Sequence, residues 1–161
     1  MSIRFSCFVP YETTLEVRDT CLCLHVQRAA RALARRFDQA LKPVGLTNGQ
    51  FSLLMAMNRP EPAPMGQLAR LLTMDRTTLT AALKPLERNG LVRMEADPSD
   101  RRSRLLSLTD KGRETLAAAL PIWRATHAEV EAGLPDPGPD ALRGALTALS
   151  RSDSPRRLQS T

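Results

Sequence analysis

Apolar residues recur at helical spacing in six stretches of the chain and at strand spacing in two. The first stretch is long: Leu22, Val26, Ala29, Ala30, Leu33, Phe37, Ala40, Leu41 and Val44. Thr13-Thr14-Leu15-Glu16 has the form of a capping box ahead of it, and Pro43 and Gly45 end it. Residues 1–12 read as a short arm. A second capping box, Thr47 to Gln50, opens a short helix carrying Phe51, Leu54, Met55 and Met57. Pro60 to Pro64 is a stiff loop, and Met65, Leu68, Ala69, Leu71 and Leu72 give another short helix. Thr73 is placed to cap the next, with Asp75 in its first turn. Its stripe is Leu79, Ala82, Leu83 and Leu86, and Asn89-Gly90 stops it. Leu91–Ala96 and Arg104–Leu108 have strand length and flank a charged turn from Asp97 to Ser103. Thr109 and Asp110 then open a long helix with a seam of Leu116, Leu120, Trp123, His127, Val130 and Leu134. Pro121 is expected to kink it. After a Pro135–Pro139 linker, a short helix holds Ala141, Leu142, Ala145, Leu146 and Leu149, and a polar tail follows.

The order describes a mainly α chain with a small β-hairpin: a winged helix-turn-helix lobe plus a helical dimerisation region. The expected boundaries are 1–45 for the arm and first dimerisation helix and 46–109 for the lobe. The C-terminal dimerisation helices take 110–150 and the polar tail 151–161. The end helices carry more apolar seam than so small a domain covers, which implies a second copy.

Length and composition narrow the function. A chain of 161 residues with 42% apolar residues fits one ordinary domain. No run of 18 apolar residues and no signal-peptide core occurs, so neither membrane insertion nor export is expected. Three cysteines make no disulfide framework, and the expected compartment is the cytoplasm. The net charge of +6 rests almost wholly on arginine and favours a polyanion, nucleic acid first.

The candidate chemistry lies on the fourth helix and the hairpin tip. With the leucine stripe turned inward, Arg76, Thr77, Thr80, Ala81, Lys84 and Arg88 face out and Thr78 lies at the edge. Small residues, hydroxyls and cations suit a major groove, although the same face also fits an ordinary solvated helix. Pro85 is unexpected in a helix interior. Asp100-Arg101-Arg102 followed by Arg104 puts three guanidinium groups at a hairpin turn, which suits a minor-groove reader and equally fits a solvated charged turn. No phosphate-cradling glycine loop, nucleophile triad or paired carboxylates point to an enzyme, and no cofactor is implied.

Leu83 to Val92, Asp97-Pro98-Ser99-Asp100-Arg101-Arg102 and Leu106 to Gly112 together resemble the MarR family of bacterial transcriptional regulators. The resemblance extends over the helical order from Thr14 to Ser150. It implies a homodimer whose two lobes grip a pseudo-palindromic double-stranded operator. It also implies repression relieved by a small aromatic effector or an oxidant. The implied DNA contacts are Arg76, Thr77, Thr78, Thr80, Lys84, Arg101, Arg102 and Arg104, with Arg102 entering the minor groove. Asp75 and Asp100 support the recognition helix and the wing. The rival reading is a winged-helix module for non-specific DNA or protein contact.

Cys23 falls in phase with the apolar stripe of the first helix, while Cys21 points about 200° away if both are helical. Leu22-Cys23-Leu24 resembles the sensing segment of the family's organic-peroxide branch, which makes Cys23, and then Cys21, the sensing candidates. This chain has Phe37 and Asn48 where that branch has thiolate-binding tyrosines. Inert packing of Cys23 is the bland alternative. Cys21 and His25 share a helical face, but Cys23 points elsewhere and no carboxylate cluster adjoins, so no metal site is assigned.

Overall fold

The computed structural model describes residues 8–98, 100 and 103–151. Two compact units divide within the second helix, Met1–Arg36 and Phe37–Thr161.

In the first unit, helix α1 spans Tyr11–Thr20, and α2 runs Leu22–Leu41 across the division. The single long helix expected from Thr14 is therefore two. Cys21 between them is extended (φ −71°, ψ 106°). Polar side chains on both sides engage the backbone there. The Thr20 hydroxyl donates to the Glu16 carbonyl at 2.8 Å, and His25 Nδ1 lies 2.9 Å from the Cys21 carbonyl. The helix also starts earlier than the Thr13 box predicts. Pro10 is its N-cap, without a side-chain bond, and Thr13 already donates its N–H to the Pro10 carbonyl.

The second unit begins as α2 ends. A 3-10 turn over Lys42–Val44 leads to Gly45 at φ +71°, where glycine carries no Cβ penalty. Helix α3, Asn48–Met57, opens with the predicted box. Thr47 Oγ1 accepts from the Gln50 N–H, and Gln50 Oε1 accepts from the Thr47 N–H. The loop predicted over Pro60–Pro64 conceals a short strand, β1, at Ala63–Pro64. Helix α4 follows at Met65–Leu71 and α5 at Arg76–Arg88. Strands β2 (Val92–Ala96) and β3 (Arg104–Leu108) form the expected hairpin. The sheet has three antiparallel strands rather than two, in the order β1-β3-β2. Ala63 and Met94 both face Leu106 across the ladders.

Helix α6, Asp110–Ala132, is capped by Thr109, whose hydroxyl oxygen accepts from the Gly112 N–H at 3.0 Å. It continues unbroken through Pro121. Its buried face is Gly112, Leu116, Ala119 and Thr126, because its first half packs on α3 and β3. Of the predicted seam, Leu116 is buried within the chain, whereas Leu120, Trp123, His127, Val130 and Leu134 are half-buried. Helix α7, Gly138–Arg151, begins inside the expected linker. Arg143 ties it to the preceding helix by donating to Glu131, and donates within α7 to Asp140.

The core of this unit is aliphatic. Leu41, Leu54, Leu68, Leu79, Leu83, Leu86 and Leu106 are each less than 2% exposed. Three of them form the inner stripe of α5, so the core fixes which face that helix turns outward.

Candidate nucleic-acid interface

Helix α5 is set by its cap. Asp75, not Thr73, is the N-cap residue. Its Oδ1 accepts from the Thr78 N–H at 2.8 Å and its Oδ2 from the Thr78 hydroxyl at 2.6 Å. The Thr78 hydroxyl first, and then its backbone N–H, hold the Asp75 carboxyl below its ordinary range. Thr73 instead takes φ +52° in the turn after α4, an unusual conformation for a β-branched residue. The expected support role of Asp75 thus gains a geometry, and the cap assigned to Thr73 is corrected.

Leu79, Leu83 and Leu86 anchor the inner side of α5. Arg76, Thr77, Ala81 and Lys84 are exposed on the other, and Thr80 is half-buried. Together these five line a shallow depression of about 320 Å³. The three threonines are not equivalent. The Thr78 hydroxyl is engaged by Asp75, and the Thr80 hydroxyl donates to the Arg76 carbonyl at 2.7 Å. Each has spent its one donor inside the helix, leaving only acceptor capacity for a partner. Thr77 is the member of the trio without such a bond.

The sequence reading missed Arg70. This exposed cation lies in the last turn of α4, and Gly66 sits at ordinary contact distance from both its guanidinium group and that of Arg76. A β-carbon on Gly66 would lie 3.4 Å from Arg76 Nη2 and 3.9 Å from Arg70 Nη1. The two guanidinium groups help line a polar hollow of about 680 Å³ that also includes Asp75. Arg70 lies on the polar side of a helix seven residues long, too short a stretch for periodicity to assign its outer face.

In the wing, the Asp97 N–H donates to the Ser103 carbonyl at 3.2 Å, and the Ser103 N–H donates to the Asp100 carbonyl at 2.8 Å. Asp100 thus closes the turn through its backbone. Arg104 is exposed at the start of β3, opposite Ala96. Arg101 and Arg102, the expected minor-groove readers, lie outside the described residues.

The cysteines are placed differently from expectation. Cys23 is exposed, and its Sγ accepts from Gln27 Nε2 at 3.1 Å, so it does not pack within the chain. Cys21 is half-buried at the break between α1 and α2, so the pair does not share one helix. A second feature lies away from the recognition face. Phe51, Met55, Leu71, Leu72, Leu120 and Trp123 surround an apolar groove of about 480 Å³ between α3, α4 and α6. Phe51 and Trp123 stack with ring centroids 6.0 Å apart, and His127 lies on the indole at 4.6 Å.

Two short helices, a recognition helix capped by Asp75 and a basic hairpin beside it define a winged helix-turn-helix protein. The MarR family model matches residues 46–103, from the turn before α3 into the wing. The transcriptional repressor NicR of Pseudomonas putida is 32% identical over 117 residues, covering 71% of this chain and 70% of NicR. The transcriptional activatory protein BadR of Rhodopseudomonas palustris is 36% identical over 113 residues, covering 68% of this chain and 65% of BadR. The match to BadR thus leaves about a third of that protein uncovered. The M. tuberculosis transcriptional regulator MosR, solved in complex with DNA, has a TM-score of 0.77 at 39% identity, covering 86% of this chain and 99% of MosR. The chain belongs to the MarR family. Among its described residues no helix is long and apolar enough to cross a membrane.

Proposed function

We propose that the protein is a homodimeric, sequence-specific DNA-binding transcriptional regulator, a repressor released by a small-molecule signal. The observation that carries this is the α5 face. A helix pinned by three fully buried leucines and capped by Asp75 presents Arg76, Thr77 and Lys84 outward, next to a hairpin that bears Arg104. Arg76, Thr77, Thr78, Thr80 and Lys84 serve the major groove and its phosphates, and Arg101, Arg102 and Arg104 the flanking minor groove. Residues 46–109 form the DNA-binding lobe, with 1–45 and 110–150 joining the two copies and 151–161 as a tail. MosR in complex with DNA supports the DNA reading. NicR, described as a repressor, supports the direction of control, and BadR supplies the opposite precedent.

The aromatic groove favours a ligand over an oxidant as the signal. Its apolar lining suits a planar, mostly apolar molecule, and movement of Trp123 there would be felt by both α3 and α6. Cys23, by contrast, lies exposed, and the partner of its Sγ is the neutral amide of Gln27.

The test is a titration of the full chain against duplex from upstream of its own gene, with excess random duplex and about 0.15 M salt. Specific binding that weakens when small aromatic acids quench the single tryptophan supports the whole reading. Specific binding lost on stoichiometric organic peroxide and regained with thiol moves the signal to Cys23. Equal affinity for specific and random duplex favours the non-specific module.

A further inference from the structure

We infer that Ala81 reads the 5-methyl group of a thymine and so fixes one position of the operator. This rests on the recognition face assigned above. The depression on α5 has Ala81 among the side chains of Arg76, Thr77, Thr80 and Lys84. Ala81 is exposed and ends at its β-carbon, so bases approach the helix most closely there. The groups around it decide what it can recognise. The Thr80 hydroxyl is turned onto the Arg76 carbonyl at 2.7 Å, and the Thr78 hydroxyl is held by Asp75 at 2.6 Å. Neither offers a donor to a base edge at this point. The cations Arg76 and Lys84 reach outward on long stems, which suits phosphates and purine acceptors at the margins. What remains in the notch is the Ala81 methyl and, beside it, Thr77, whose side chain is the rival contact. Thymine is the one base that presents an apolar group in the major groove, and an alanine methyl is a recurring contact for it.

The experiment starts by letting the protein define its own site. The full chain selects duplexes from a random-sequence pool, and each thymine of the consensus is then replaced singly by deoxyuridine, which removes only the methyl. One symmetry-related thymine pair is expected to respond. Replacement should weaken binding about fourfold per half-site and about fifteenfold for both, the worth of one methyl removed from water at each. Ala81→Gly should bind the thymine and deoxyuridine duplexes equally. Should that variant lose helicity, Ala81→Ser puts a hydroxyl at the contact and is expected to shrink the same ratio. A defined consensus with no methyl-sensitive thymine overturns the inference and leaves the regulator reading standing. So does a methyl effect that persists undiminished in both variants, which would assign it to another side chain such as Thr77. Selection of no sequence at all removes the regulator reading, and this inference with it.

Discussion

At the residue scale, two positions show how a familiar motif acquires a physical cause. Gly112 sits in the Leu-Thr-Asp-Lys-Gly run that marks the start of α6. A β-carbon there would lie 2.0 Å from the Leu91 carbonyl oxygen, which already accepts the Thr109 N–H at 3.1 Å. The helix can approach the head of β2 this closely only without a side chain. Gly112→Ala is therefore expected to destabilise the lobe by about 3 kcal/mol, the upper range for overpacking, as read by urea unfolding. An unchanged midpoint would refute the close approach. Asp75 gives a pH signature. Its folded-state pKa is depressed by its bonds to Thr78, so it stabilises α5 above the unfolded carboxylate's value of about 3.9. That contribution is lost as pH falls through the lower folded value. The stability gap between wild type and Asp75→Asn should be constant above about pH 5 and close as pH falls below the unfolded carboxylate's value. A gap independent of pH would remove the charge from the cap.

At the scale of elements, the helix-turn-helix was legible because each short helix carries its own signals. Thr47 and Gln50 form the predicted box, the leucine stripe of α5 is buried as spaced, and Asn89-Gly90 ends the helix. Strand β1 was not legible. It is two residues long, includes a proline and pairs with Leu105 and Leu106 some forty positions later. A run that short has no period to detect, and proline is tolerated because the strand lies at the sheet edge. Pro85 sits in the helix interior, where a break was a real prospect, yet α5 continues to Arg88. Leu83 and Leu86 on either side are fully buried, and that packing holds the turn together. The wing follows the predicted hairpin, so the Arg102 reading can be tested directly. Arg102→Ala should weaken binding across operator sequences and lower the magnitude of the salt slope by about 1, as expected for one cation lost from the negative potential of the minor groove. Operator binding as tight and as salt-sensitive as wild type would remove Arg102 from the interface.

At the scale of the whole molecule, the apolar surface left exposed in each unit is the argument for a second copy. Leu22, Val26 and Leu33 are exposed on α2, and Leu142 and Leu146 on α7. Paired substitution of Leu142 and Leu146 by Asp should convert a dimer to a monomer by light scattering, and reduce operator affinity at least tenfold because one lobe then binds alone. A variant that stays dimeric would place the subunit contact elsewhere. Caps, periodic stripes, the hairpin and the basic tip are all written in local signals, and those signals were enough to reach the family and its recognition helix. Whatever depends on particular partners, near or distant in the chain, was settled by the folded structure instead. The first helix breaks at Cys21, whose backbone is extended. Helix α6 turns so that Gly112 and Ala119 face the lobe, and β1 joins the hairpin. Two of the three threonine hydroxyls on α5 are engaged inside the helix. Hydrophobic period tells a helix that it has an inner face, but close packing against particular partners decides which residues occupy it.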